Sequence, residues 1–251
     1  MKEIIQKKLK EIEQQHSLQI LLAVESGSRA WGFASEDSDY DVRFLYRKER
    51  DDYLKLEKRR DTLEFPIDDL LDISGWDLNK TLQLLHSSNP TLFEWFSSPI
   101  VYARKAEISR IEEILPEYFS PRKSIHHYLS MAERNHRAYI ADRETVRAKK
   151  YFYVLRPLLA GRYILHTRKI PPIVFTELCR EELPVELQDT VRELLRIKKE
   201  VKETKEIPAL PELNAWLCEE IQLLKEAAEE LLEERSPGWE ELDEVFREML
   251  K

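Results

Sequence analysis

The chain has 251 residues, a formal net charge of -8, 42% hydrophobic and 10% aromatic residues, and only 5 glycines. That is helix-rich globular composition, enough for one large or two modest domains, and it excludes a disordered chain and a general nucleic-acid coat, whose affinity rests on neutralising phosphates. The start, Met-Lys-Glu-Ile-Ile-Gln-Lys-Lys, is too charged for a signal peptide, and no apolar run approaches the ~20 residues of a membrane span, so a cytoplasmic protein with no membrane partner is expected.

Ile4, Ile5, Leu9 and Ile12 recur at helical spacing among Lys and Glu, which predicts an amphipathic helix over 3–14. The apolar run Ile20 to Val24 is a strand leading into Gly27-Ser28. After ten more residues Asp39-Tyr40-Asp41 heads a second apolar run, giving strand, turn, short helix, strand. In an extended 39–45 segment Asp39, Asp41 and Arg43 point one way while Tyr40, Val42 and Phe44 point the other. Two carboxylates on one face repel unless a cation lies between them. Mg²⁺ relieves this, commonly using one or two carboxylates plus substrate phosphates. A D-x-D pair by itself is far more often two solvated side chains; the strand and the preceding Gly-Ser turn are what favour a site.

Residues 47–60 are a charged loop or short exposed helix, read as a solvated face. Asp61 to Phe65 forms a short strand ended by Pro66. Leu71-Asp72-Ile73 places a carboxylate inside another short strand, ending at Gly75, where burial is costly unless the group is paired or metal-bound. Asp77 stands as N-cap of a helix carrying Leu78, Leu82, Leu85 and His86, stopped by Ser87-Ser-Asn-Pro90. A short helix from Pro90 supplies Phe93, Trp95 and Phe96 to the core, with Glu94 between them as a structural partner. Residues 100–102 are extended, a helix covers about 105–118, and the domain boundary falls near 121.

The remainder reads as helices over about 122–145, 148–167 (kinked or split at Pro157), 174–181, 185–205, 211–234 and 238–250, separated by prolines. The expected class is therefore α+β: a small mixed sheet with flanking helices over 1–120, then an all-α domain over 121–251. Charge follows this order, with 21 acids against 10 bases from residue 181 onward and 30 bases against 27 acids before it. The stretch 147–169 holds seven Lys or Arg and no acid, and Lys149, Tyr153 and Arg156 share a helical face. Such a face either binds an anion or pairs with the acidic C-terminal helices. Cys179 and Cys218 read as reduced packing cysteines, and His126, His127 and His136 lack ligand spacing.

Gly27-Ser28, ten residues, Asp39-Tyr40-Asp41 and the later Asp72 resemble the signature of the DNA polymerase beta nucleotidyltransferase superfamily. More narrowly, Glu25-Ser-Gly-Ser-Arg-Ala-Trp-Gly, Ser74-Gly-Trp-Asp-Leu-Asn-Lys80, Ser88-Asn-Pro-Thr-Leu-Phe-Glu-Trp95 and Lys149-Lys-Tyr-Phe-Tyr-Val-Leu-Arg-Pro-Leu-Leu159 resemble a family of predicted bacterial and phage nucleotidyltransferases, one branch of which is associated with RNA repair. The resemblance covers residues 20–180. It implies a polymerase-beta-like core that moves a nucleoside monophosphate from an NTP to an acceptor hydroxyl, releasing pyrophosphate. Asp39 and Asp41 would hold Mg²⁺ (or Mn²⁺), with Asp72 as the third carboxylate and Asp77 and Glu64 as rivals for that place. Gly27 and Ser28 would meet the β and γ phosphates. Arg29 would meet a phosphate, and Arg43 either does the same or only neutralises the Asp face. The helical domain would close over the nucleotide and acceptor, with Lys149, Lys150 and Arg156 on the triphosphate and Tyr151 or Tyr153 on the base. An RNA end as acceptor is implied by family association alone; a protein or small-molecule hydroxyl stays open, as does a non-catalytic binding module, against which the full carboxylate set argues. No obligate protein partner is expected.

Overall fold

In the computed structural model, residues 1–36, 38–57, 59–66, 70–200, 206–232 and 237–251 are described. The apolar stripe of α1 (Lys2–His16) buries Ile5, Leu9 and Ile12, and that stripe lies against one face of a sheet, together with Ile20, Ala23, Val42, Phe44, Tyr46, Ile73 and Tyr102. The sheet elements follow in order: β1 (Gln19–Glu25), the one-turn α2 (Gly27–Ala30), β2 (Tyr40–Arg47), α3 (Arg50–Tyr53), β3 (Thr62–Glu64) and β4 (Leu71–Asp77). Then come α4 (Leu78–His86), α5 (Pro90–Phe96), β5 (Val101–Arg104) and α6 (Ser109–Ile114), the last between two short 3-10 turns. The five strands run in the order β3-β4-β2-β1-β5. β2 and β4 are parallel and the other neighbours antiparallel. Side chains alternate along β2, so Val42, Phe44 and Tyr46 turn to the α1 core and Asp41 and Arg43 to the opposite face.

Two expectations for this region change. β4 runs through Gly75 to Asp77 because Gly75 leaves room for a ring: a β-carbon there would lie 2.3 Å from the ring of Phe44. Backbone pairing continues on both sides, with Leu63 opposite Gly75 and Tyr46 opposite Asp77. Asp39 lies just outside β2, which begins at Tyr40.

The chain divides into two compact units. The first holds Met1–Ala30, Asp39–Phe119 and the C-terminal stretch; the second holds Trp31–Ser38 and the chain from Ser120. The second unit is built on α7 (Pro121–Tyr139), β6 (Thr145–Arg147), α8 (Ala148–Thr167), α9 (Phe175–Glu182), α10 (Val185–Glu200), β7 (Glu206–Pro208) and α11 (Pro211–Glu229). It is not wholly helical: β6 and β7 form a two-stranded ribbon that sets Val146 opposite Ile207, both buried. Accordingly the helix expected to reach residue 145 stops at Tyr139. Pro157 sits inside an unbroken α8. Within the ten residues that separate Ser28 from Asp39, Phe33 packs in this unit: it stacks on Phe152 at 4.9 Å and meets Phe175 edge-on at 5.5 Å.

The final helix, α12 (Glu240–Met249), belongs to the first unit rather than to the helical domain assigned from sequence. Phe246 packs edge-on against Tyr53 at 5.2 Å, Arg47 donates to the Met249 carbonyl, and just before the helix Trp239 stacks on His86 at 3.6 Å. Among the described residues no helix is long and apolar enough to cross a membrane.

Candidate active site

The parallel pairing of β2 with β4 sets Asp41 directly opposite Asp72, so two carboxylates that are 31 residues apart in sequence stand side by side on the face away from α1. Arg43, two residues on, shares that face and lies between them. Its Nη2 is 3.2 Å from Asp41 Oδ1 and 2.7 Å from Asp72 Oδ2, while Nη1 donates to the Asp72 and Val42 carbonyls at 3.0 and 3.1 Å. The three side chains are 18–31% exposed. Burial pushes the Asp41 carboxyl above its ordinary value, Arg43 pulls it back, and the charges of Asp72 and Asp39 push it up again.

The Gly-Ser turn closes on this pair. Gly27 has φ +59°, and a β-carbon built on it would lie 2.1 Å from Asp41 Oδ2. Only glycine lets the backbone come this close in this conformation. Ser26 N–H donates to the Asp41 carbonyl at 2.8 Å, and Ser28 follows in α2, half-buried. Arg29 folds back: its Nε donates to the Asp39 carbonyl at 3.1 Å, and its guanidinium lies 3.6 Å from the Tyr40 ring centroid. Asp39 is exposed at the mouth of the strand.

The rivals for third carboxylate separate clearly. Asp77 is 2% exposed and caps α4: its Oδ1 accepts from Asn79 N–H at 2.9 Å and its Oδ2 from the Tyr53 hydroxyl at 3.1 Å, with Arg59 at 3.8 Å. Both oxygens are thereby engaged, and burial raises its pKa. Glu64 ends the exposed edge strand β3, in register with Ser74 rather than with Asp72. Asp72 is the one placed beside Asp41.

Asp41 and Asp72, with Asp39 nearby, form an all-oxygen donor set, which suits a hard cation such as Mg²⁺ completed by phosphate oxygens. Among the described residues no three His, Cys, Asp or Glu side chains form a metal-holding group by themselves. Two carboxylates sharing an internal guanidinium fit the phosphate-completed arrangement rather than an all-protein cage.

A match to the family described as RNA repair pathway DNA polymerase beta family (RlaP) extends over residues 1–248. The chain belongs to that family. The uncharacterised protein YcgL of Bacillus subtilis (strain 168) is 44% identical over 248 residues, covering 98% of this chain and 95% of that protein. A nucleotidyltransferase-like protein from Exiguobacterium sibiricum 255-15, known from a crystal structure, aligns over 97% of this chain and 80% of its own at 14% identity, with a TM-score of 0.31. The mixed sheet followed by helices is the α+β architecture expected of a DNA polymerase beta family member, and the family match runs through the C-terminal helices that sequence resemblance had left aside.

In the second unit, the cations expected on α8 have varied surroundings. Lys150 Nζ lies 3.6 Å from the Tyr139 ring centroid and 4.9 Å from that of Tyr153. Arg156 is 3% exposed, with its guanidinium 4.3 Å from the Trp31 ring centroid. Lys149 is half-buried, and Tyr151 is fully buried, its hydroxyl donating to Asn214 Oδ1 at 2.9 Å. Arg162 meets the acidic C-terminal helices, pairing with Glu182 of α9 and Glu220 of α11. Cys179 and Cys218 are free thiols; burial pushes the Cys179 thiol up to about 12.

Sequence reasoning gave no role to Glu25 or Tyr102, which lie behind Asp41. The available signal was an acid ending a run of five apolar residues, Ile20 to Val24.

Proposed function

We propose that the chain is a metal-dependent nucleotidyltransferase that moves a nucleoside monophosphate from an NTP to an acceptor hydroxyl and releases pyrophosphate. The carrying observation is the in-register pair Asp41 and Asp72, tied by Arg43 and set against Gly27. Membership of the RlaP family supports the same reading.

Asp39 and Asp41, with Asp72 beside them, would hold Mg²⁺ or Mn²⁺. When bound, the ion supplies charge stabilisation for the in-line displacement at the α-phosphorus. The residues of this chain have separate tasks. Gly27 and Ser28 meet the phosphate end of the nucleotide, Gly27 letting the backbone lie against the Asp41 carboxylate. Asp72, on the strand beside Asp41, is the acceptor of the attacking hydroxyl's proton. Arg43 keeps the two carboxylates at fixed separation and offsets their repulsion. An RNA end is the acceptor class we favour, since the family is described by an RNA repair pathway.

The test is transfer from α-labelled ATP, CTP, GTP and UTP with Mg²⁺ or Mn²⁺ to RNAs with free 3′ hydroxyls, with protein and small-molecule acceptors in parallel. Pyrophosphate release that disappears in Asp41→Asn and Asp72→Asn supports the reading. No release under any condition, with nucleotide binding unaffected by Asp39→Ala/Asp41→Ala, refutes it. Labelled protein or small molecule in place of RNA refutes the acceptor class alone.

A further inference from the structure

Behind the strand that carries Asp41 lies a carboxylate that the transfer reaction does not use. Glu25, the last residue of β1, is 0% exposed. Its Oε1 accepts from the Asp41 backbone N–H at 2.8 Å, and its Oε2 from the hydroxyl of Tyr102 on β5. Its own backbone is fixed too: its N–H donates to the Ile100 carbonyl at 2.9 Å and its carbonyl accepts from the Ser98 hydroxyl at 2.6 Å. Ser26 N–H holds the Asp41 carbonyl. Both backbone polar groups of Asp41 are therefore held by residues 25 and 26, immediately before the glycine that abuts its carboxylate.

A buried carboxyl group is costly to keep, and an apolar residue like those at 20–24 would fill this space at lower cost. What an apolar side chain cannot do is accept the Asp41 N–H. Glu25 shares the face of Ala23, which belongs to the α1-facing core, so it reaches Asp41 from the far side of the sheet. Its side-chain hydrogen bonds go to the Asp41 backbone and the Tyr102 hydroxyl, although the charges of Asp41 and Arg29 also act on it.

We propose that Glu25 is a positioning residue: braced by Tyr102, it fixes the main chain of Asp41 so that the Asp41 carboxylate sits against Gly27 and beside Asp72. The inference rests on the reading of Asp41 as a metal-holding carboxylate of nucleotidyl transfer. Its content is that the hydrogen bond to Asp41, rather than bulk or charge at position 25, is what the site requires.

Three variants test it: Glu25→Leu, which keeps bulk and removes the acceptor; Glu25→Gln, which keeps an acceptor oxygen and can still pair with the Tyr102 hydroxyl; and Tyr102→Phe, which removes only the brace. Each is read by Mn²⁺ binding in paramagnetic resonance titrations and by kcat and KM for transfer. Glu25→Leu is expected to lower kcat on the order of 100-fold, the effect of a displacement of about 1 Å at a reacting centre, with weakened Mn²⁺ binding and little change in the KM for nucleotide. Glu25→Gln restores both readouts, and Tyr102→Phe falls between. Glu25→Leu that folds and matches wild type overturns the proposal, as does Glu25→Gln as damaged as Glu25→Leu. If Glu25→Leu does not fold, Tyr102→Phe decides, and equality with wild type in both readouts overturns the proposal. A wild type that binds Mn²⁺ yet transfers no nucleotide defeats the functional reading, while the Mn²⁺ comparison still judges Glu25. A wild type that binds no Mn²⁺ overturns this inference as well.

Discussion

Replacing Gly27 with alanine separates strain from misplacement at the site. The left-handed backbone at φ +59° costs a residue with a β-carbon about 1–2 kcal/mol. The added carbon would also stand 2.1 Å from Asp41 Oδ2 and 2.9 Å from its carboxyl carbon, where ordinary contact begins near 3.4 Å. The carboxylate must therefore withdraw by about 1.3 Å, and a shift of roughly 1 Å at a reacting centre costs on the order of 100-fold in rate. That equals about 2.7 kcal/mol of activation free energy. Gly32→Ala is the matched control, because Gly32 has φ +83° but its β-carbon would meet Val174 at an ordinary 3.4 Å. The assay is kcat for Mg²⁺-dependent transfer beside the thermal midpoint of each variant. Both substitutions should lower the midpoint by similar amounts, and only Gly27→Ala should lose turnover on the order of 100-fold. Turnover in Gly27→Ala close to wild type, or an equal loss in Gly32→Ala, refutes the reasoning.

Arg43→Gln removes the charge that most strongly holds down the Asp41 carboxyl against burial, so the Asp41 pKa should rise further; a carboxyl-carbon NMR titration showing no rise or a fall contradicts this. Burial raises Glu25, Asp41 and Asp77 above their ordinary carboxylate values, so each binds its proton more tightly in the folded chain. Their contribution to stability is fully present below the ordinary values of 4.5 and 3.8 and is lost as pH rises through the raised folded values. Urea midpoints measured in EDTA across that window should fall with rising pH, and less steeply in Asp77→Asn. Asp77→Asn keeps the cap oxygen and should leave transfer intact, whereas Asp77→Ala should cost about 1 kcal/mol or more through the lost cap; lost transfer in a stable Asp77→Asn would restore Asp77 as a metal ligand. Arg162→Ala removes the cation paired with Glu220, whose side chain is 10% exposed, while Glu182 keeps His166 at 2.9 Å, and should cost about 3 kcal/mol, read by calorimetry; a loss under about 1 kcal/mol, the level of a surface pair, rejects the pairing.

The local motif was legible in the sequence because its signals are short-range. The run Ile20 to Val24 and the apolar run after Asp39 mark β1 and β2, and the alternation sets Asp41 and Arg43 on one face, although Asp39 lies outside the strand. That Asp72 rather than Glu64 or Asp77 stands beside Asp41 was open, because it depends on the parallel pairing of β2 with β4, which no local pattern encodes. Asp77 shows the limit well: cap and ligand use the same side chain, and only the Tyr53 hydroxyl and the Asn79 N–H, one of them 24 residues away, decide between them. Gly75 was misread as a strand end because the Phe44 ring that explains it lies on another strand. The ribbon of β6 and β7 joins segments some sixty residues apart, beyond the reach of helical periodicity.

α12 joins the unit that begins at Met1, so the sheet-bearing unit is assembled from both ends of the chain. During synthesis its last helix emerges only after the whole of α7 to α11. Trp239, Phe246 and the Met249 carbonyl, which Arg47 grips, therefore reach their partners late, through contacts of very large sequence separation, which close slowly. Cutting the chain after residue 119 would not release an intact sheet-bearing unit. It would leave His86, Tyr53 and Arg47 each missing the group that covers it.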